Sequence, residues 1–355
     1  MTDTTIDPMI APAADVLIER RGRALWITLN RPAALNSLTR AMCNTIQAVL
    51  YDSIGDAEVA LVVIEGAGER AFCAGGDVVA MHAAGRVGIE GWQAFFHDEY
   101  RMNQTIARYP DPYVAILDGV TMGGGVGLSI HGRFRVATER TLFAMPETAI
   151  GLIPDVGGTH ALPRLPGHIG TWLALTGARL KAADCVYAGI ATHYVPVERL
   201  ALLGELLSTG DEPVETILET LNADPGEPPL AMLRDAIDYH FAHDTIEAIL
   251  ASLATGDDWA LSIHATIAAM SPTSLKLTLR ALRDGAGADI EGALRTEYRV
   301  VSHIQGGHDF YEGVRAVLID KDKSPKWSPT TLGMVTEAQL DPYFAEPAGG
   351  DLTFD

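Results

Sequence analysis

The chain has 355 residues, 48% hydrophobic and 20% charged, a composition that suits a folded protein with a sizeable core. Acidic residues outnumber basic ones 46 to 26, and the net charge of −20 repels nucleic acid, so an anionic partner is restricted to a small molecule met by local cations. Cys43, Cys73 and Cys185 have no metal-type spacing and read as reduced thiols of a cytoplasmic protein, with no metal implied.

Residues 1–14 are acidic and Pro/Ala-rich, without the basic and apolar regions of a signal peptide, and read as a disordered tail. No apolar run approaches the ~20 residues that span a bilayer, so no membrane role is expected. Residues 16–20 and 24–29 flank Arg21-Gly22-Arg23 and predict a hairpin. Thr39 is placed to cap a helix carrying Met42, Ile46, Val49 and Leu50 on one face. The continuous apolar run 59–65 predicts a strand buried on both faces. A helix over 91–108 follows, then strands at 113–117, 134–137 and 142–144, with a short helix at 126–131. Strand, glycine turn and helix recur, which suggests a repeated supersecondary unit. Helical periodicity dominates after residue 200, and Ser271-Pro272 starts one helix as N-cap and first-turn proline. The expected organisation is a 1–14 tail, a 15–200 core, a helical region over 201–345 and a loose, Gly-rich tail over 346–355.

Chemistry concentrates at three places. Residues 143–159 put Glu147 and Asp155 in an apolar, Gly/Pro-punctuated setting, where a carboxylate is costly to bury without a task. Ala74-Gly75-Gly76-Asp77 and Gly123-Gly124-Gly125 free backbone amides to approach a developing oxyanion. Acids together with backbone donors indicate carbonyl chemistry. A dinucleotide fingerprint fails because Leu128 and Ile130 stand where a glycine is needed, and His131 spoils a nucleophile elbow around Ser129. His131, His160 and His193 show no ligand spacing.

The ordered set of Asn30-Arg31-Pro32, Phe72 to Asp77, Gly119 to Gly125, Met145-Pro146-Glu147, Gly151 to Thr159 and Glu312-Gly313 resembles the enoyl-CoA hydratase/isomerase (crotonase) superfamily. The resemblance implies an α/β fold, a spiral of ββα units with a helical C-terminal region. It implies an acyl-CoA thioester whose carbonyl sits between the amides of Gly76 and Gly124, no cofactor beyond the CoA of the substrate, and a trimer or hexamer. Family hydratases carry a glutamate at the position of Gly127 and a second at that of Glu147. This chain keeps only Glu147 and adds Asp155, a pattern similar to the 3-hydroxyisobutyryl-CoA hydrolase branch, which acts in valine breakdown. By that resemblance Glu99, Gly124, Glu147 and Asp155 contact substrate, with Ala74, Gly75 and Asp77 beside them. Arg31, Lys321 and Lys323 are the candidate cations for CoA phosphates.

The expected activity is therefore CoA-thioester hydrolysis, with Glu147 as nucleophile or as base for water and Asp155 sharing the proton traffic. An enoyl-CoA hydratase or isomerase is the alternative, and a catalytically silent protein of the same fold is a second. Two residues have plain structural readings as well. Glu99 also reads as a solvated helix acid, and Asp155 as an N-cap.

Overall fold

The hairpin forms as its turn residues dictate. In the computed structural model, which describes residues 14–86 and 89–354, β1 (Val16–Arg21) runs antiparallel to β2 (Ala24–Leu29), with Val16 opposite Leu29. The tail expected over 1–14 lies outside the described residues but for Ala14. From β2 onward every pairing is parallel, through β3 (Leu61–Gly66), β5 (Tyr113–Leu117), β7 (Phe134–Ala137) and β9 (His193–Tyr194). The strands between them, β4 (Ala71–Cys73), β6 (Val120–Met122) and β8 (Leu142–Ala144), form a second, three-stranded parallel sheet. The chain thus alternates between two sheets. Each pair of strands ends in a turn that feeds a helix, which is the predicted ββα repeat.

Burial follows the two-residue period of the strands. Leu61 and Val63 of β3 face one apolar cluster and Val62 and Ile64 the other, so the continuous apolar run is buried on both sides. The outer face is covered by Leu203 and Leu207 of α8 (Leu200–Thr209) and by Ile217 and Leu218 of α9 (Val214–Leu221). The inner face is covered by α1 (Arg40–Ser53), whose cap Thr39 accepts from the Met42 N–H, and by α3 (Ile89–Ala107), with α2 (Val78–Gly85) leading into it. The turns after β6 and β8 carry the short helices α4 (Gly124–Gly127) and α5 (Gly158–Ala161), followed by α6 (Ile169–Thr176) and α7 (Ala182–Tyr187).

The helices α10 (Pro229–His240), α11 (Ile246–Leu253), α12 (Asp258–Ala268), α13 (Pro272–Gly287) and α14 (Ile290–Ile304) complete the inner core. Ser271 caps α13 as its sequence indicates, accepting from Ser274 N–H at 3.1 Å. α14 packs against α3, and both α13 and α14 pack against α5. The tail expected to be loose is docked as far as residue 354. Leu352 is buried, Arg299 donates to Asp351 at 3.0 Å, and Arg295 lies over the Phe354 ring. One apolar side chain and one ion pair outweigh the glycines that suggested disorder.

Candidate active site

Register builds the site. Cys73 of β4 pairs with Thr121 of β6, and Thr121 with Phe143 of β8, so the turns leaving these three parallel strands emerge along one edge of the small sheet. That edge, beyond the carboxyl ends of the strands, is where such sheets place ligands. A cavity of about 420 Å³ opens there, lined by Ala74, Gly75 and Gly76 from the first turn, Gly123 and Gly124 from the second, Glu147 and Asp155 from the third, and Glu99 from α3. Among the described residues neither the Gly76 nor the Gly124 N–H has an acceptor in the chain. The two turns are close: a Cβ on Gly124 would stand 3.3 Å from Gly76 N, 2.6 Å from Glu99 Oε1 and 2.9 Å from Leu38 Cδ1. Only glycine permits that approach, and it leaves two backbone donors facing one space.

The acids opposite are withdrawn from water. Glu99, Glu147 and Asp155 are only 2%, 6% and 4% exposed. Glu99 Oε1 and Glu147 Oε2 are buried with no hydrogen-bond partner among the described residues, the mark of a site built for a ligand. Burial raises Glu147 well above the usual carboxylate range, and the charge of Asp155 adds to the rise. Burial lifts Asp155 only to about 6, because the Tyr100 hydroxyl donates to its Oδ2 at 2.6 Å. Glu99 is raised by burial and then by the charges of Asp155 and Glu147. Burial thus separates the two neighbouring acids, leaving Asp155 the more readily ionised of the pair.

The enoyl-CoA hydratase/isomerase family model matches residues 24–344, nearly the whole described chain. The chain belongs to the enoyl-CoA hydratase/isomerase family. A Danio rerio protein named 3-hydroxyisobutyryl-CoA hydrolase, mitochondrial, is 48% identical over 349 residues, covering 96% of this chain and 91% of that protein. Two solved structures share the fold: a carnitinyl-CoA dehydratase from Mycobacterium thermoresistibile (TM-score 0.91, 43% identity, 96% of this chain and 99% of that one) and an enoyl-CoA hydratase from Rhodobacter sphaeroides 2.4.1 (TM-score 0.89, 44% identity, 96% and 100%). The crotonase-type fold expected from the motifs is thereby established. The expectation of a cytoplasmic protein is overturned by the relatives, which are named as mitochondrial. The three thiols that suggested it are all buried, so they report shielding and not compartment.

Within this family frame, the motif residues separate into those the cavity gathers and those it does not. Glu99 is buried at the cavity wall, so its reading as a solvated helix acid falls. Asp155 does not cap α5; Gly157 occupies the cap position and the Asp155 carboxylate turns to Tyr100. Asp77, expected beside the substrate, does not line the cavity; it caps α2 by accepting from Ala80 N–H and pairs with Arg31 at 3.2 Å. Arg31 is correspondingly engaged, donating to the Ser37 carbonyl at 2.7 Å as well, and is not a free phosphate ligand. Lys321 and Lys323 are exposed just beyond the π-helical segment Arg315–Ile319, whose Val317 and Leu318 line the cavity.

Three contributors escaped the sequence reading. Arg179 lines the cavity as an exposed cation with no ion pair among the described residues, and its only signal was a lone arginine between helices. Tyr100 adjoins Glu99 in the sequence. Glu297 sits three residues after Leu294 and four before Val301, on the buried stripe of α14, and that periodicity could have exposed it as an interior acid. The place of Gly127 is also closed. A Cβ there would stand 2.7 Å from Asn103 Nδ2 and 2.7 Å from Val156 Cβ.

Among the described residues no helix is long and apolar enough to cross a membrane, and no group of three or more His, Cys, Asp or Glu could hold a metal ion.

Proposed function

We propose that the chain is an acyl-CoA thioester hydrolase whose substrate is 3-hydroxyisobutyryl-CoA, a step of valine catabolism. The observation that carries the reading is the buried Glu147/Asp155 pair facing the unengaged amides of Gly76 and Gly124. The curated relatives of that name support the substrate. In the proposed reaction the thioester carbonyl lies between the two amides, which stabilise the negative charge it gains on attack. Either Glu147 attacks to form an anhydride that water then opens, or it removes a proton from water as water adds. In both cases the C–S bond breaks, CoA leaves as the thiolate and takes up a proton, and the free acid departs. Asp155, the more readily ionised of the pair, takes the carboxyl proton of Glu147 and so frees Glu147 to attack or to act as the base.

No resident cofactor takes part in this scheme, the CoA arriving with the substrate. Arg179, Lys321 and Lys323 are proposed to meet the CoA phosphates at the mouth. A homo-oligomer, trimer or hexamer, belongs to the same proposal and is checked by light scattering. An enoyl-CoA hydratase is the second reading, favoured by the name of the Rhodobacter sphaeroides structure. Against it stands the closed space at Gly127, which leaves no room for a second acid from α4. Purified protein is offered 3-hydroxyisobutyryl-CoA and crotonyl-CoA while free thiol and enoyl absorbance are followed. Thiol release from the first supports the hydrolase; loss of enoyl absorbance from the second with no thiol release from the first replaces it with the hydratase.

A further inference from the structure

The turn that carries Asp155 is held in an unfavourable backbone. Val156 has φ 55°, in the left-handed region that a β-branched residue enters only as an outlier. Strain of this kind persists where the surroundings over-determine it, and it collects at functional sites. Three side chains hold the turn. Tyr100 donates to Asp155 Oδ2 at 2.6 Å, and His131 Nε2 donates to the Val156 carbonyl at 2.8 Å. Glu297 reaches from α14 and accepts from Gly157 N–H at 2.7 Å, Thr159 N–H at 2.9 Å and the Thr159 hydroxyl at 2.6 Å.

Tyr100 and Glu297 are both wholly buried, and neither lines the cavity. A fully buried carboxyl group is a poor way to obtain stability, since an apolar side chain of similar volume would serve as well or better. What Glu297 does instead is fix two amides two and four residues beyond Asp155, while Tyr100 fixes the Asp155 carboxylate itself.

We propose that Glu297 and Tyr100 are positioning residues for Asp155, clamping the strained 155–159 turn from two helices so that its carboxylate faces the reacting carbonyl. The inference rests on the hydrolase reading only for what Asp155 acts upon. It also gives Tyr100 an electrostatic part, because its donated hydrogen bond favours the charged form of Asp155. The other titratable groups facing this turn are Glu99 from α3, Glu147 from the third turn, His131 after α4 and Glu297 from α14, and none of them is a cation that could replace Tyr100 in that part.

Tyr100→Phe removes one hydroxyl and little else. Its kcat on 3-hydroxyisobutyryl-CoA should fall about tenfold or more with KM within about twofold, as befits a lost hydrogen bond to a charged group. The acid limb of its kcat–pH profile should move to higher pH. Thr159→Val takes one of the three hydrogen bonds from Glu297 and should lower kcat less; Thr159→Ser should restore it. Wild-type kcat and an unmoved acid limb in Tyr100→Phe would overturn the proposal, as would a fall in kcat explained wholly by loss of folded protein on thermal melting. Carboxyl titration of Asp155 by 13C NMR on the free protein needs no substrate. An upward shift in Tyr100→Phe supports the clamp even if the wild type releases no thiol, a result that would sink the hydrolase reading alone; an unshifted titration overturns the clamp.

Discussion

The two walls of the cavity work in different ways. On one, the turns at Gly75-Gly76 and Gly123-Gly124 offer backbone amides and no side chain at all, and strand register alone brings them together. On the other, Glu99, Glu147 and Asp155 offer side chains whose chemistry is set by burial and by one another's charge. The amide wall is fixed by geometry: its donors are there at every pH and need only the absence of a Cβ. The acid wall is fixed by environment. Its protonation pattern depends on Tyr100, and the position of its turn on Glu297. The amides supply a permanent charge-stabilising surface, and the acids supply the step that responds to pH.

The comparison breaks most decisively on the acid wall. Glu147→Gln should reduce steady-state thiol release by about 10²–10⁴, the range lost with a catalytic acid or base. A variant hydrolysing at near wild-type rate would show that the amide wall suffices. On the other side, Gly124→Ala brings a Cβ to 2.6 Å from Glu99 Oε1 and 2.9 Å from Leu38 Cδ1. The turn must shift its N–H to relieve that clash, and kcat should fall by about 10²–10³, the loss seen when one oxyanion donor goes. The pH profile of Gly124→Ala should keep its wild-type shape, because no titrating group has been removed. A changed profile would mean that the two walls are not separable.

The difference between the walls also decides what a sequence can tell. The glycine turns were legible because their function is conformational, and a run of glycines has few other uses. Strands β5, β7 and β8 were legible to the residue, as short runs rich in strand-forming residues. Glu99 could be read two ways, because a carboxylate on an amphipathic helix is interior or exterior according to what packs on it, here α4. Glu297 and Tyr100 touch the turn of Asp155 from 140 and 55 residues away, separations no local pattern encodes. Arg31 fails for the same reason: its motif marks a turn, but its partner Asp77 lies 46 residues on.

A milder test uses stability instead of rate. Asp155 is raised from 3.8 to about 6 by burial, so folding favours its protonated form. That contribution is fully present below pH 3.8 and is lost as pH rises through about 6. Asp155→Asn keeps an oxygen to accept from Tyr100 and removes the titration. Its melting temperature should exceed that of the wild type at pH 8 and match it near pH 4, while thiol release falls at both. A melting temperature that is lower at pH 8 would mean that the charged carboxylate is stabilised where it stands, and that the acid wall is not under strain.

The smallest effect separates two arginines, Arg31 beside the first glycine turn and Arg179 on the cavity lining. Arg31 is partly exposed and spent on Asp77 and the Ser37 carbonyl, so Arg31→Ala should lower stability by about 1 kcal/mol or less and leave KM for the CoA thioester nearly unchanged. Arg179 has no ion pair among the described residues and lines the cavity, so Arg179→Ala should raise KM several-fold with kcat held, because a cation bound equally to substrate and transition state acts on KM alone. Raising ionic strength should weaken wild-type binding and narrow its gap to Arg179→Ala, since exposed charges are screened. If instead Arg31→Ala carries the KM effect, the Arg31–Asp77 pair must open when substrate arrives, and the amide wall would be less fixed than its glycines suggest.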